Sequence, residues 1–537
     1  MKQSLLRGSA LLLLLQQVAC FTAFPTPSRF VTSQSLAIAA PSSFRNGTQS
    51  SDDVRSMQIT NFQEMNRWAD AIESAPTAQL AVQAATFVEQ IQQQESDVIS
   101  FNTALKGWAR CGQRLTELRH HHMAPRGDAG HTVNWDLLET KGIHDKFAIY
   151  TPRDAVEHAS ALLESHADKV PANAQSYNIV MDAWSKLKNT PDAVDKIHKL
   201  LKKTPEPDVF AYNSLIEAYS SSSTEEGLEK AVNVFNKLPM EPNSHTYNSV
   251  LHAYSKRASI DYLQAKECAL AAEKLLSEAA KSQKADVMSY TSVMECWSRV
   301  NDGASHAEAI LERFKATVKP SVYTYNVLMQ AYRRPNNVKK AKALIEQLLA
   351  AVEKPMKSQD VKANAIVCTT YLSVLKNSRT DSQAVDALRL IQRMNELSVS
   401  HPAITPSLVT YNAALEVCAQ VPESKGTSQL VALKISFALL KSLEQHKVLK
   451  PNNITYNTLL RAISSLLPMG SQERDQVSKA LFEKAKAAGQ VDTYTLKNLQ
   501  RAASVALYAD VVAEMEGGTH FSADSPIPAS WSRNVRL

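Results

Sequence analysis

The chain of 537 residues carries 59 Lys plus Arg against 53 Asp plus Glu, a formal charge of +6; so small an excess excludes a general polyanion coat, and any nucleic-acid contact must come from placed side chains. Hydrophobic residues make up 44%, enough for a large core, which excludes a mainly disordered chain. Only 14 Gly occur, about 2.6% where roughly 7% is usual, so tight hairpins and phosphate-cradling loops have few places to form and a mostly helical protein is expected.

Residues 1–51 stand apart. They hold Lys2, Arg7, Arg29 and Arg45, and no acid precedes Asp52. Lys2 and Arg7 lead into the apolar run from Ala10 to Leu15, and Val18-Ala19-Cys20 offers small side chains to a signal peptidase. This is the pattern of a secretory signal, too short to span a bilayer. From Phe21-Thr22-Ala23-Phe24-Pro25 to Ser51 the chain is rich in Ser, Thr and Pro, as a transit peptide is. Signal and transit in tandem, with Phe21 at the junction, resemble the bipartite presequences of plastids bounded by extra membranes, such as those of diatom-like algae. The resemblance implies delivery to the plastid stroma, with no stable membrane association after processing. Secretion and a mitochondrial destination are the alternatives. The six cysteines, Cys20, Cys111, Cys268, Cys296, Cys368 and Cys418, form no CxxC pair. If Cys20 leaves with the signal, the other five point to a reducing compartment and buried thiols.

Residues 52–96, with two amphipathic stretches, are expected to form capping helices. An array then spans 97–516. An aromatic-Asn doublet recurs at Phe101-Asn102, Tyr177-Asn178, Tyr212-Asn213, Tyr247-Asn248, Tyr325-Asn326, Tyr411-Asn412 and Tyr456-Asn457. Tyr290-Thr291, Cys368-Thr369 and Tyr494-Thr495 fit the same slot. The anchors are spaced by 76, 35, 35, 43, 35, 43, 43, 45 and 38 residues, so the unit is 35 residues and the larger gaps are units with insertions. Each unit reads as two helices. In the third, Tyr212, Leu215, Ile216 and Tyr219 share one face, and Leu228, Ala231, Val232, Phe235 and Leu238 share another. Pro207-Asp208 and Pro242-Asn243 separate units, because Pro disfavours helix in the residue before it and Asp or Asn caps the helix that follows. One hairpin cannot bury both its faces, so an all-α fold is expected: an α-solenoid superhelix of stacked helical hairpins, in repeats of about 35 residues.

The 35-residue period, the Pro-Asp and Pro-Asn junctions and segments such as Val209-Phe210-Ala211-Tyr212-Asn213-Ser214-Leu215-Ile216 resemble the pentatricopeptide repeat family, as a P-type array without an added catalytic domain. Tetratricopeptide repeats, the nearest competitor, expect a Trp-x-x-Leu-Gly-x-x-Tyr pattern that the chain lacks. The resemblance implies single-stranded RNA as partner, one base read per repeat by two or three side chains. It places one reading residue after the anchor and its partner four residues before the next anchor. The pairs so implied are Asn102 with Asn173, Asn178 with Asp208, Asn213 with Asn243, Asn248 with Asp286 and Thr291 with Ser321. They continue as Asn326 with Asn364, Thr369 with Ser407, Asn412 with Asn452, and Asn457 with Gln490. In the family, Asn with Asp favours U, Asn with Asn a pyrimidine and leading Thr a purine. The implied target is pyrimidine-rich, 5′-Y-U-Y-U-R-Y-R-Y-3′, with the ninth pair silent. The bland reading of these side chains is that they cap or brace helix starts.

Nine residues after the anchor stands Arg110, Lys186, Lys256, Arg299 or Arg334, a basic stripe suited to a sugar-phosphate backbone or, equally, a solvated face. Two residues before the anchor stand Ile99, Phe210, His245, Met288, Tyr323, Ile366, Val409 and Ile454, placed to sandwich bases or to pack between hairpins. In the first repeat the opening helix is expected to end near Arg110 and its partner to run from Pro152 to His166, with a surface insertion near 112–150. His120, His121, His122 and His131 lie in that insertion, too poorly convergent for a metal site, so no metal and no cofactor is expected. Residues 517–537 read as a flexible tail. His306-Ala307-Glu308 lacks the Pro-Cys-x-x-Cys of a zinc deaminase, and no catalytic residues are assigned. The expected role is a non-catalytic RNA adaptor for processing, stability or translation of organellar transcripts, with protein partners supplying catalysis. A helical-repeat scaffold binding protein partners is the alternative.

Overall fold

The computed structural model describes residues 51–75, 77–93, 97–120, 151–166, 172–187, 190, 192–221, 226–353, 361–422, 426–515 and 527–535. The expected presequence up to residue 50, the expected insertion over 121–150 with His121, His122 and His131, and parts of the expected tail lie outside these residues, as does the side chain of His120. The described residues form helices and turns without a strand. None of their helices is long and apolar enough to cross a membrane.

Two compact units divide between residues 300 and 301. The first holds α1 (Ser51–Ala71), α2 (Ala78–Gln92), α3 (Val98–His120), α4 (Pro152–His166), α5 (Ala174–Ser185), α6 (Ala193–Lys203), α7 (Val209–Ser221), α8 (Gly227–Asn236), α9 (Ser244–Ile260), α10 (Ala265–Lys281) and α11 (Val287–Arg299). The second holds α12 (Ala304–Lys315), α13 (Val322–Ala331), α14 (Val338–Glu353), α15 (Ala365–Ser378), α16 (Gln383–Ser398), α17 (Leu408–Ala419), α18 (Gly426–Gln445), α19 (Asn453–Leu466), α20 (Gln472–Ala487), α21 (Thr493–Ala502), α22 (Val505–Met515) and the short α23 (Ala529–Ser532). From α3 to α22, odd-numbered helices open a repeat and even-numbered ones close it. Within each unit the opening helices form one layer: α3, α5, α7, α9 and α11 in turn, and α13, α15, α17, α19 and α21 in turn. Each closing helix lies against the opening helix that follows it in its unit. The fold is an α-solenoid, as expected.

Local chemistry starts each opening helix. Asn173, Asn243, Asp286, Ser321, Ser407, Asn452 and Asp492 each accept the backbone N–H of the residue three positions on and donate their own backbone N–H to that residue's hydroxyl in return, a reciprocal capping box. Such a cap contributes about 0.5–2 kcal/mol over alanine. Pro207, Pro242, Pro320, Pro406 and Pro451 stand immediately before a cap, where the fixed φ holds the chain extended.

A second tie recurs seven residues past the anchor. Trp108 donates its indole N–H to Glu89 at 2.7 Å, Trp184 to Ser160 at 2.8 Å and Trp297 to Glu273 at 3.2 Å. Tyr332 donates its hydroxyl to Glu308 at 2.7 Å. Each ring is buried or nearly so and ties an opening helix to the helix before it.

Two expectations about the chain's irregular parts need correction. α3 continues past Arg110 to His120. Gly112 sits inside it because a Cβ there would stand 2.9 Å from Cγ2 of Val156 and 3.2 Å from the Pro152 carbonyl oxygen, where α4 crosses. The tail is not loose throughout: in 527–535, Trp531 is 7% exposed and stacks edge-on against Phe482, with ring centroids 5.8 Å apart.

Candidate nucleic-acid interface

The residues assigned to base reading fall at two linked positions: the helix cap, and the residue five positions inside the preceding repeat's opening helix. Asn102 donates its amide to Asn173 at 3.5 Å and Asn178 to both carboxylate oxygens of Asp208 at 3.0 Å. Asn213 donates to Asn243 at 3.3 Å, Asn248 to Asp286 at 3.2 and 3.0 Å, and Asn412 to Asn452 at 3.3 Å. The caps fix which way these amides face. The Asn243 oxygen is committed to the Thr246 N–H at 2.9 Å, and the Asp208 carboxylate can only accept. Asn178 and Asn213 must therefore turn their NH2 groups to the cap. Their carbonyl oxygens, like that of Asn457, are buried with no partner among the described residues. In Asn102, Asn248 and Asn412 the corresponding oxygen already accepts a hydroxyl, from Ser176 at 2.7 Å, Ser289 at 2.5 Å and Thr455 at 2.7 Å.

The remaining pairs differ. Asn326 accepts from Thr370 at 2.7 Å while Asn364 caps α15 through the Val367 N–H, with no hydrogen bond joining the two asparagines. Thr369 reaches Ser407 through Thr410, which is 2.9 Å from Thr369 and 3.1 Å from Ser407. Thr291 belongs to the first unit and donates to the Val287 carbonyl; Ser321 belongs to the second and caps α13.

The ninth pair is corrected outright. Asn457 donates to Asp492, at 3.1 and 3.3 Å, and not to Gln490. Asp492 is the cap of α21, so Leu496 and not Tyr494 holds the anchor phase, two residues later than the aromatic suggests. Tyr494 is 67% exposed, whereas Tyr411 and Tyr456 in true anchor positions are 2% and 4% exposed. Burial opposes ionisation of the Asp492 carboxyl, but hydrogen bonds from Asn453, Thr495 and Asn457 outweigh it and hold its pKa below the ordinary carboxylate value.

Tyr494 instead extends the row that stands two residues before the anchors. Ile99, Phe210, Met288, Tyr323, Ile366, Val409 and Ile454 are all exposed, as are His245 and, unnoticed in the sequence, Gln175 at the same phase. Left this open, these side chains do not pack between hairpins but form an exposed, mostly apolar row at one recurring position.

The basic stripe is weaker than its sequence pattern. Arg110 is ion-paired with Asp70 and Glu73 of the first unit's N-terminal region, and Lys186 with Asp182 at 2.6 Å. Arg334 is hydrogen-bonded to Asn301. Lys256 and Arg299 are exposed and make no ion pair with a described residue. Carboxylates stand beside the stripe in the first unit. Burial and the neighbouring Asp182 raise the pKa of Glu217. Among the described residues no group of His, Cys, Asp and Glu is arranged to hold a metal.

A family model described as "Pentatricopeptide repeat domain" matches residues 197–257, 275–334 and 351–420, and one described as "PPR repeat" matches 323–350. A search of curated proteins returns no match. Among solved structures, the pentatricopeptide repeat protein PPR10 in complex with an 18-nt psaJ RNA element is 17% identical over 87% of this chain and 71% of that chain, with a TM-score of 0.41. The same protein from maize, in a structure described without RNA, is 16% identical over 87% and 70%, with a TM-score of 0.34. Yeast Rmd9p in complex with a 16-nt target RNA is 11% identical over 86% and 87%, with a TM-score of 0.41.

Proposed function

Because the chain belongs to the pentatricopeptide repeat family, we propose that it binds single-stranded RNA sequence-selectively, one base per repeat, and acts on organellar transcripts without a catalytic step of its own. The observation that carries the reading is the fixed orientation of the amides. Asn178, Asn213 and Asn457 each turn the amide NH2 toward a cap, an orientation that the cap's accepting oxygen fixes. Their second amide proton remains for a base oxygen. The exposed row supplies stacking faces, and Lys256, Arg299 and Arg334 are the stripe residues left to meet phosphates. With the ninth pair as Asn457 and Asp492, the target becomes 5′-Y-U-Y-U-R-Y-R-Y-U-3′. Any cleavage or splicing falls to partner proteins.

Titration of the purified chain with that nonamer, its duplex and a purine-rich strand tests the reading. Preference for the pyrimidine-rich single strand is expected. Asn213→Thr, with Asn243 retained, is expected to move the third base from pyrimidine toward purine by about 1–3 kcal/mol. Equal binding to duplex and single strand discards RNA reading and leaves a protein-binding scaffold.

Delivery to the plastid stroma by residues 1–51 belongs to the same proposal. Their four basic residues and lack of acids take the formal charge of +6 to +2 once removed. A fluorescent protein fused behind residues 1–51, expressed in an alga with such a plastid, is expected in the stroma. Mitochondrial or secreted fluorescence rejects that destination.

A further inference from the structure

Asp492 follows a different kind of residue from most other caps. Pro207, Pro242, Pro320, Pro406 and Pro451 precede theirs, with no N–H to satisfy and φ fixed by the ring. Before Asp492 stands Val491, fully buried and free to rotate about φ. Its N–H donates to the carbonyl of Trp531 at 2.9 Å, forty residues further on.

The bond is one of a set. Asn534 donates its backbone N–H to the Gly489 carbonyl at 2.9 Å and its amide to the Ala488 carbonyl at 2.8 Å, and Arg533 donates to the Ala487 carbonyl at 2.8 Å. Gln490 donates to the Asn534 carbonyl at 3.0 Å while its side-chain oxygen accepts the Asn453 N–H at 2.9 Å. Trp531 anchors the segment, against Phe482 and with the Lys486 ammonium 4.9 Å from its ring centre. Gly489, at φ +65°, takes a conformation that L side chains rarely adopt, and a Cβ there would stand 2.5 Å from Cγ of Arg533.

We propose that residues 527–535 are a positioning element for the last base-reading pair: bonded along 487–491, they do for Val491 what proline does at other caps, and so aim Asp492 at Asn457. The inference rests on the RNA-reading proposal and goes beyond it, because it assigns specificity to residues that touch no base. Trp531 and Gly489 are positioning residues.

The test uses the full chain and nonamers that vary only at base two, read by Asn178 with Asp208, or only at base nine. The parent is expected to prefer U at both by roughly tenfold or more. Trp531→Ala is expected to reduce the base-nine preference to about twofold or less and leave base two unchanged, with Trp531→Phe keeping most of the preference. Gly489→Ala, which leaves Trp531 in place but crowds Arg533, is expected to act in the same direction. Full base-nine preference in folded Trp531→Ala or Gly489→Ala overturns the proposal, as does equal loss at both bases. A parent indifferent at both bases brings down the RNA-reading proposal, and this one with it.

Discussion

Replacing Trp297 with alanine is expected to lower the stability of the first unit by about 3–5 kcal/mol, the usual range for emptying a buried aromatic site. Trp297 is 2% exposed on α11, and its indole N–H holds Glu273 of α10. The substitution removes the ring's contacts and the indole hydrogen bond to the partly buried Glu273 carboxylate. In a stacked array stability comes largely from neighbouring hairpins, so the loss should fall on α9, α10 and α11 first. Hydrogen exchange resolved by segment checks this: faster exchange confined to those helices and a lower urea midpoint are expected. A midpoint within error of the parent would show that the recurring aromatic pin does not hold the layers together. Tyr332→Phe, which keeps the ring and removes only the hydroxyl bonded to Glu308, should cost about 1 kcal/mol.

The largest expected effect on binding comes from the exposed row. Phe210, Tyr323 and Tyr494 are 57%, 48% and 67% exposed, and a base stacked on an aromatic ring contributes about 1–3 kcal/mol. Three well-separated sites add, so the triple alanine variant should bind the nonamer at least about 100-fold more weakly. Surface substitutions of this kind change stability by about 0.5 kcal/mol or less each, so the thermal midpoint should scarcely move. Parent-like affinity would exclude the row from the interface. Matched losses of affinity and stability would return it to packing.

The repeat itself was legible because its signals are local. A 35-residue period, a proline and a cap four residues before a buried aromatic all lie within one stretch of chain, and the structure places eight opening-helix caps where that spacing put them. Tyr494 is a misleading anchor because it stands two residues, not four, after its cap. Asp492-Thr493-Tyr494-Thr495 repeats the pattern of Asn243-Ser244-His245-Thr246, a cap with a hydroxyl three residues on. That hydroxyl was the more faithful register mark. Arg110 could not be assigned from its own helix, because the carboxylates that occupy it, Asp70 and Glu73, lie about forty residues upstream. Trp531 was missed for the same reason, its partners lying in α20 and the turn after it. Contacts distant in sequence leave no periodic trace.

Each opening helix begins on a side chain that both starts the helix and, on the reading proposed here, helps choose a base. The two duties draw on one short alphabet. Asn, Asp and Ser fill the caps of the opening helices from α5 to α21, and each gives the backbone an oxygen to accept a free N–H of the first turn. Target drift is then cheap within that set and costly outside it, since a residue that reads a new base but cannot cap gives up about 1 kcal/mol of helix stability. An array of this design can change its sequence preference one repeat at a time, yet only along substitutions that keep every helix begun.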